Sequence, residues 1–293
     1  MIKKYGVKYR FFFTTNGLLL NDKMIDLLIK NNVLINVSYD GPYNSVLRQN
    51  SDKVLENIMK IKSKNGKLRC FCTLSKDSYE HLYEIYDWFK KNKIDFKTSP
   101  VEKFGYAEKN TKILIDVNSL VETMTNVYRY WIKDKESTIR YFTFEEFASL
   151  RRNKQFKHYW FNSKIALNPD GNMYPFGRPN DVHYSLGKPS EIESIDECFE
   201  KDSYKKLLKI LKNHYNKICT ECESIGVCNG VAFNMAYMYT NNDDILMNGC
   251  FQSNKIFNSI LKVNTEIIDD FKNGKFEQYN ETVIKKFKDF IPM

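Results

Sequence analysis

The stretch YRFFFTTNGLLLNDKMIDLLIKNNVLINVSYDGP, residues 9–42, decides the fold. It opens with a short apolar run and turns at TTNG. A segment with Met24, Leu27 and Leu28 at helical spacing follows, and then a β-branched run that YDGP stops. A strand, a helix and a strand with short connections predict parallel strands joined by crossover helices.

The same rhythm continues to about residue 100. Apolar strands are predicted over 67–74 and 94–100, each preceded by an amphipathic helix. The core positions expected of these two helices are Val54, Ile58, Ile61, Leu82, Ile85 and Phe89. The strands end in TTNG, SYDGP, TLS and TSP, and small polar residues at the carboxyl ends of parallel strands are typical of a ligand-binding rim. The fold class predicted here is α/β.

The pattern changes after about residue 140. KIALNPDGNMYPFG, residues 164–177, predicts a β-hairpin with an Asn-Pro-Asp-Gly turn. A helix around 203–214 then leads into the segment that contains most of the cysteines. We therefore expect a domain boundary near residues 140–150.

Composition limits the classes of function. The formal net charge is +9, but the lysines alternate with acidic or apolar residues along predicted helical faces, which favours solvated faces over an anionic partner. No nucleic-acid motif is present, so we expect no nucleic-acid partner. The N-terminal residues contain lysines and no signal-peptide-like apolar stretch, and no run of about 18 apolar residues occurs. We expect a cytoplasmic protein without a membrane span.

Four of the seven cysteines form the pattern C-x2-C-x5-C-x21-C: Cys219, Cys222, Cys228 and Cys250. A C-x2-C pair places two thiolates on one tight turn. Four thiolates suit either zinc or a [4Fe–4S] cluster, and the spacing alone leaves both open. The other three cysteines, Cys70, Cys72 and Cys198, are predicted to be core residues.

The chain resembles radical SAM enzymes that carry a SPASM domain and mature peptides or proteins. The segment from TTNG to SYDGP is similar to the middle of the radical SAM barrel. NPDGNMYP, YSLGKPSEI, CTECESIGVCNG and Cys250 are similar to the SPASM domain, and the resemblance extends over about residues 3–252. It implies a partial (β/α) barrel of parallel strands and helices, followed by a SPASM-type α+β domain with a cysteine-ligated cluster.

The resemblance implies one auxiliary [4Fe–4S] cluster, held by Cys219, Cys222, Cys228 and Cys250. A second auxiliary cluster of the family would need cysteines where this chain has Phe176 and Ala232. In the sulfatase-maturating branch, an aspartate that acts as a base stands where this chain has Gly177, so the resemblance favours a peptide-modifying branch.

The radical-generating loop of the family, C-x3-C-x2-C, does not occur in this sequence, and neither does the G-G-E-P segment. By resemblance, Met1 falls near the end of the second barrel helix. Three explanations stay open: another polypeptide supplies the first two strand–helix units, the sequence is a fragment, or the exposed strand edge is covered in another way. This chain alone is not expected to cleave S-adenosylmethionine, and its catalytic residues stay unassigned.

Positions on the S-adenosylmethionine side of the family site are retained by resemblance. Ser38 matches the serine of the S-x-D-G-P segment, and Arg48 resembles an arginine that contacts the ligand. The residues expected at this cofactor rim are Asn16, Ser38, Asp40, Arg48 and Leu74.

These observations give one leading hypothesis and two alternatives. The leading one is the C-terminal portion of a radical SAM/SPASM maturase that acts on a ribosomal peptide or protein. The alternatives are a catalytically silent relative that binds a peptide or a partner enzyme, and a zinc-stabilised binding protein. The expected domains are a partial barrel over 1–145, a SPASM domain over 146–255 and a helical tail over 256–293.

Overall fold

The computed structural model describes residues 10–103, 106–151, 165–175, 184–224, 226–228 and 243–291. The strands are β1 (Phe12–Thr15), β2 (Leu34–Ser38), β3 (Leu68–Leu74), β4 (Phe96–Pro100), β5 (Ile165–Leu167) and β6 (Met173–Pro175). The helices are α1 (Asp22–Lys30), α2 (Asn44–Leu47), α3 (Ser51–Ser63), α4 (Leu82–Lys91), α5 (Tyr106–Lys109), α6 (Val117–Trp131), α7 (Phe142–Phe147), α8 (Ile195–Glu200), α9 (Asp202–His214), α10 (Asp243–Lys272) and α11 (Glu281–Phe287).

The chain forms two compact units. The first consists of residues 1–101, 122–149 and 267–293, and the second of residues 102–121 and 150–266. The domain boundaries expected from the sequence, near residues 145 and 255, stay a prediction. Among the described residues, no helix combines the length and apolarity that a membrane span needs.

A four-stranded parallel sheet in the order β1-β2-β3-β4 organises the first unit. The strands therefore lie side by side in the order in which they occur along the chain. Successive right-handed strand–helix crossovers produce this order. The predicted α/β class and its parallel strands are thus confirmed, with each strand beginning one to three residues later than expected from the sequence.

The two faces of this sheet differ in chemistry. One face is covered by helices: Ile35, Cys70 and Phe96 are fully buried, and the Phe96 ring stacks on Phe89 of α4 at 4.3 Å between ring centroids. All the core positions expected in α3 and α4 are buried, and Cys70 and Cys72 are core residues as predicted. We call the other side the polar face, because it contains Thr14, Asn36, Ser38, Arg69, Thr73 and Lys97.

Gly17, the glycine of the TTNG turn, permits close packing between a strand and a helix. Its φ is +80°, and a Cβ atom there would lie 2.9 Å from Val37 of β2 and 3.1 Å from Val54 of α3. The turn is fixed further by Asn57, whose Nδ2 donates to the Gly17 carbonyl oxygen at 2.8 Å. Only glycine satisfies both the backbone conformation and the available space.

The β1 side of the sheet carries exposed apolar residues. Within the described sheet, β1 pairs only with β2, and Phe12 is 72% exposed. Met24, Leu27 and Leu28 lie in α1, as their helical spacing predicts, but none of them is a fully buried residue of this helix. Ile25 is the fully buried residue, whereas Leu27 is 61% exposed. Periodicity did not identify the buried side because α1 is apolar on more than one face.

The second unit contains the predicted hairpin. β5 and β6 pair antiparallel with Ile165 opposite Pro175, and the turn is closed by the Asn168 N–H, which donates to the Asn172 carbonyl oxygen at 3.0 Å. Cys198 of α8 is fully buried beside Leu186 and Tyr204, so its prediction as a core cysteine is confirmed. The hairpin end at Phe176 and Gly177, and Ala232, lie outside the described residues.

Candidate functional site

Two turns present the first three cysteines of the predicted metal site. The chain leaves α9 through a π-helical turn, Tyr215–Cys219, and the Cys222 N–H donates to the Cys219 carbonyl oxygen at 3.1 Å. The buried Ser224 begins the next turn, since its carbonyl oxygen accepts from the Cys228 N–H at 2.9 Å. These turns bring Cys219, Cys222 and Cys228 to one short segment, as the C-x2-C-x5-C spacing predicts.

The helix that contains the fourth cysteine contacts this segment. Cys250 lies on α10, and Asn254, one helical turn further, donates its Nδ2 to the Cys222 sulfur at 3.3 Å. One more turn along, Asn258 donates to Glu223 at 3.0 Å. The spacing of four residues from Cys250 to Asn254 to Asn258 places all three on one side of the helix.

The four thiol groups, which we call the cysteine cluster, are half-buried neighbours. Burial raises the pKa of Cys219 to about 11, and the nearby Cys228 and Cys222 add to the effect. Burial likewise raises the pKa of Cys250 to about 12, with further contributions from Cys228, Cys219 and Cys222. The pKa of Cys250 therefore depends on the three other thiols of the cysteine cluster, and that of Cys219 depends on Cys222 and Cys228.

The donor chemistry fits a metal centre. Within the part of the chain that the structure describes, no cation is among the groups that shift the pKa of Cys219 or Cys250. Positive charge at the cysteine cluster would stabilise four thiolates that otherwise repel one another. Among the described residues, no group of three or more His, Cys, Asp or Glu side chains is placed so that it could hold a metal ion. The role of the four cysteines as a ligand set therefore stays a prediction.

A second group of polar residues lies at the carboxyl ends of β2 and β3. Asp40 is buried and accepts three hydrogen bonds: from Arg48 Nε at 2.8 Å, from Arg48 Nη2 at 3.4 Å and from the Thr73 N–H at 2.6 Å. Arg48 Nη2 also donates to Thr73 Oγ1 at 3.1 Å. Burial raises the pKa of Asp40, and Arg48 opposes that shift.

The predicted rim residues have different environments. The structure brings Asp40 and Arg48 together in the network just described, Ser38 is half-buried at the end of β2, and Asn16 is exposed. Leu74 is fully buried. Their roles in cofactor binding stay a prediction.

Sequence reasoning placed Thr73 in the TLS segment of the expected rim without assigning it a contact, and it missed Ser224 and Asn254. Thr73 was detectable, because it shares strand parity with Arg69 on β3. Asn254 can be recognised only when Cys250 and Asn254 are placed on the same helix. The sequence analysis began the C-terminal helical region at residue 256, so it did not place them there.

Comparisons with known proteins support the family resemblance. No family model matches the chain. A cysteine-type anaerobic sulfatase-maturating enzyme of Clostridium novyi (strain NT) is 22% identical over 255 residues, which cover 78% of this chain and 65% of the relative. The chain therefore spans just under two thirds of that relative's length.

Solved structures show the same fold. anSMEcpe with bound AdoMet and Cp18Cys peptide superposes with a TM-score of 0.71 at 18% identity, covering 90% of this chain and 78% of that one. Streptococcus suis SuiB bound to S-adenosylmethionine gives a TM-score of 0.54 at 16% identity, covering 80% of this chain and 58% of that one. The α/β fold with its parallel sheet is shared with these proteins, and the resemblance to a radical SAM/SPASM-type protein is confirmed.

Proposed function

We propose that this chain is the C-terminal portion of a radical SAM/SPASM maturase that acts on a ribosomal peptide or protein. We propose further that the cysteine cluster holds one auxiliary [4Fe–4S] cluster. The observation that carries the proposal is the contact of α10, which contains Cys250, with the segment that contains the other three cysteines, through Asn254 and the Cys222 sulfur. When bound, such a cluster supplies one-electron transfer.

The protein's own residues would shape this centre. Asn254 donates to the Cys222 sulfur, which orients this side chain. Ser224 is buried, and its carbonyl oxygen fixes the turn that presents Cys228. These contacts hold two of the four ligands before any metal is added, which reduces the conformational entropy lost on binding.

A peptide substrate and S-adenosylmethionine enter the proposal through the relatives. anSMEcpe is described with AdoMet and a peptide bound, and SuiB with S-adenosylmethionine. In this chain, Asn16 and Ser38 are the rim residues with polar side chains that are not occupied by the Asp40–Arg48 ion pair. We assign them to the S-adenosylmethionine side of the site.

The exposed β1 edge supports the need for a further strand–helix unit, on the same or on a separate polypeptide. Within the described sheet, β1 has a neighbour on one side only, and parallel sheets are normally covered on both faces. Phe12 and Leu27, both largely exposed, would be buried by such a unit.

Anaerobic incubation of the reconstituted chain with S-adenosylmethionine and dithionite tests the catalytic part of the proposal. Because residues 1–293 contain no C-x3-C-x2-C motif, we expect no 5′-deoxyadenosine above the level of a protein-free control. Release of 5′-deoxyadenosine at a rate proportional to protein concentration would contradict the proposed division of function.

A further inference from the structure

Thr14, Asn36 and Arg69 form a row across the polar face of the sheet. Thr14 is the register partner of Asn36, and Asn36 is the register partner of Arg69. Register partners in a parallel sheet project from the same face, about 5 Å apart. The row therefore brings a hydroxyl, an amide and a guanidinium together on three adjacent strands.

Arg69 has no anionic partner among the described residues. Its Nε is buried and makes no hydrogen bond, and its guanidinium lies over the Phe142 ring at 3.5 Å from the centroid. Burial lowers the pKa of Arg69, and the nearby positive charge of Arg140 lowers it further. A buried guanidinium donor without an acceptor costs free energy, so its retention needs an explanation.

The carboxylates near Arg69 are already engaged. Asp95 accepts the Arg140 N–H at 2.9 Å. Glu145 accepts two hydrogen bonds from the Arg140 guanidinium, at 2.9 and 2.5 Å. Glu146 accepts from Lys97 at 2.7 and 2.9 Å. Arg69 is thus the cation in this neighbourhood for which the described chain provides no carboxylate contact.

Asn36, the register partner of Arg69, has a buried acceptor without a hydrogen bond. Asn36 is 4% exposed, and its Nδ2 donates to Thr14 Oγ1 at 3.3 Å. Its Oδ1 is buried and accepts no hydrogen bond. An unsatisfied donor and an unsatisfied acceptor therefore lie in register on adjacent strands, and a ligand with a carboxylate and a neighbouring N–H would satisfy both.

We propose that Arg69 and Asn36 form a subsite for an acidic residue of a bound peptide. The Arg69 guanidinium binds the side-chain carboxylate, and Asn36 Oδ1 accepts a backbone N–H of the same peptide. The inference rests on the proposed peptide substrate and specifies its chemistry. It differs from the Asp40–Arg48 network, where the arginine already has a carboxylate within the chain.

The probes are acetyl-aspartyl-methylamide, the matched acetyl-asparaginyl-methylamide, and acetate. Binding is followed by NMR through the arginine Nε–H signals of the ¹⁵N-labelled full chain. We expect the aspartyl probe to shift the Arg69 signal and to bind about tenfold more tightly than the asparaginyl probe, because a charge-assisted pair is formed. We expect acetate, which lacks the N–H, to bind more weakly than the aspartyl probe. Equal affinity for the aspartyl and asparaginyl probes would overturn the proposal.

Variants separate binding from packing. Arg69→Met keeps an unbranched side chain over Phe142 and removes the donor, so we expect the preference for aspartate to disappear while Tm stays equal or rises. Lys97→Met removes a cation of the same face that already has a carboxylate, and should leave the preference unchanged. A preference for aspartate that survives in Arg69→Met would overturn the proposal. A wild-type chain that shows no preference for aspartate, together with a lower Tm in Arg69→Met, would also overturn it, because Arg69 would then act only in packing. Metal content reports independently on the proposed function, so the two failures are distinguishable.

Discussion

The cysteine cluster and the polar rim of the sheet differ in how their functional groups are satisfied. At the rim, Asp40 and Arg48 already bond to each other and to Thr73, so the network is complete without a ligand. In the cysteine cluster, burial and neighbouring thiols raise the pKa of Cys219 and of Cys250, and no cation of the described residues is among the groups that shift them. The comparison teaches that burial alone does not decide whether polar groups are satisfied: the Asp40–Arg48 network is satisfied within the chain, whereas we propose that the cysteine cluster is satisfied by a bound centre.

The largest effect is expected from Cys250→Ala. Removal of one of the four proposed thiolate ligands should lower iron well below the expected value of about four per chain, because a four-cysteine cluster that loses a ligand is held less tightly. Iron and acid-labile sulfide after anaerobic reconstitution measure this. Cys198→Ala is the matched control, since Cys198 is buried in the same unit as a core residue. Equal iron loss in both variants would show that general destabilisation is the cause.

Asp40→Ala tests the network of Asp40, Arg48 and Thr73. The change leaves Arg48 and the Thr73 N–H without their acceptor, and we expect a loss of about 3 kcal/mol in the free energy of unfolding, measured by urea denaturation. The control is Glu56→Ala, which breaks ion pairs between half-exposed side chains and should leave the free energy of unfolding unchanged within error. A free energy of unfolding of Asp40→Ala equal to that of the wild type would contradict a structural role for the network.

The two sides of α1 provide a matched pair. Ile25→Ala should cost about 3 kcal/mol, because Ile25 is fully buried, whereas Leu27→Ala should cost less than about 0.5 kcal/mol, because Leu27 is 61% exposed. Urea denaturation of both variants measures the difference. The reverse order would mean that α1 buries the side that carries Leu27 and exposes the side that carries Ile25.

Asn254→Ala tests the contact between α10 and the cysteine segment. Loss of the hydrogen bond to the Cys222 sulfur should make release of iron to a chelator about tenfold faster, as is typical when a residue that supports a metal ligand is removed. Thr265→Ala is the control, since Thr265 is exposed on the same helix and bonds only to its own backbone at Leu261. Unchanged iron release in Asn254→Ala would remove Asn254 from the proposed site.

Phe12→Lys should have the smallest effect on stability, within about 0.5 kcal/mol, because the ring is 72% exposed. A lysine on an edge strand opposes strand addition, so self-association measured by light scattering should decrease. A fall of several degrees in Tm would mean that the ring is covered in solution.

The sequence predicted most of the fold because its elements have strong local signals. Gly17 and Val37 fix a turn and a buried strand, and the parallel sheet follows from strand–helix repeats. The four cysteines were identified by spacing. The Asp40–Arg48–Thr73 network and the Arg69–Asn36 row depend on register between strands, which spacing along one strand does not give. The buried side of α1 likewise depends on which neighbours the helix has.

The most direct test of the account is the content of iron, acid-labile sulfide and zinc per chain after anaerobic purification and reconstitution. The account predicts about four irons and four sulfides without zinc, which corresponds to one [4Fe–4S] cluster in the cysteine cluster. One zinc without sulfide would contradict it and favour a zinc-stabilised binding protein. About eight irons would also contradict it, because a second cluster would then exist despite Phe176 and Ala232.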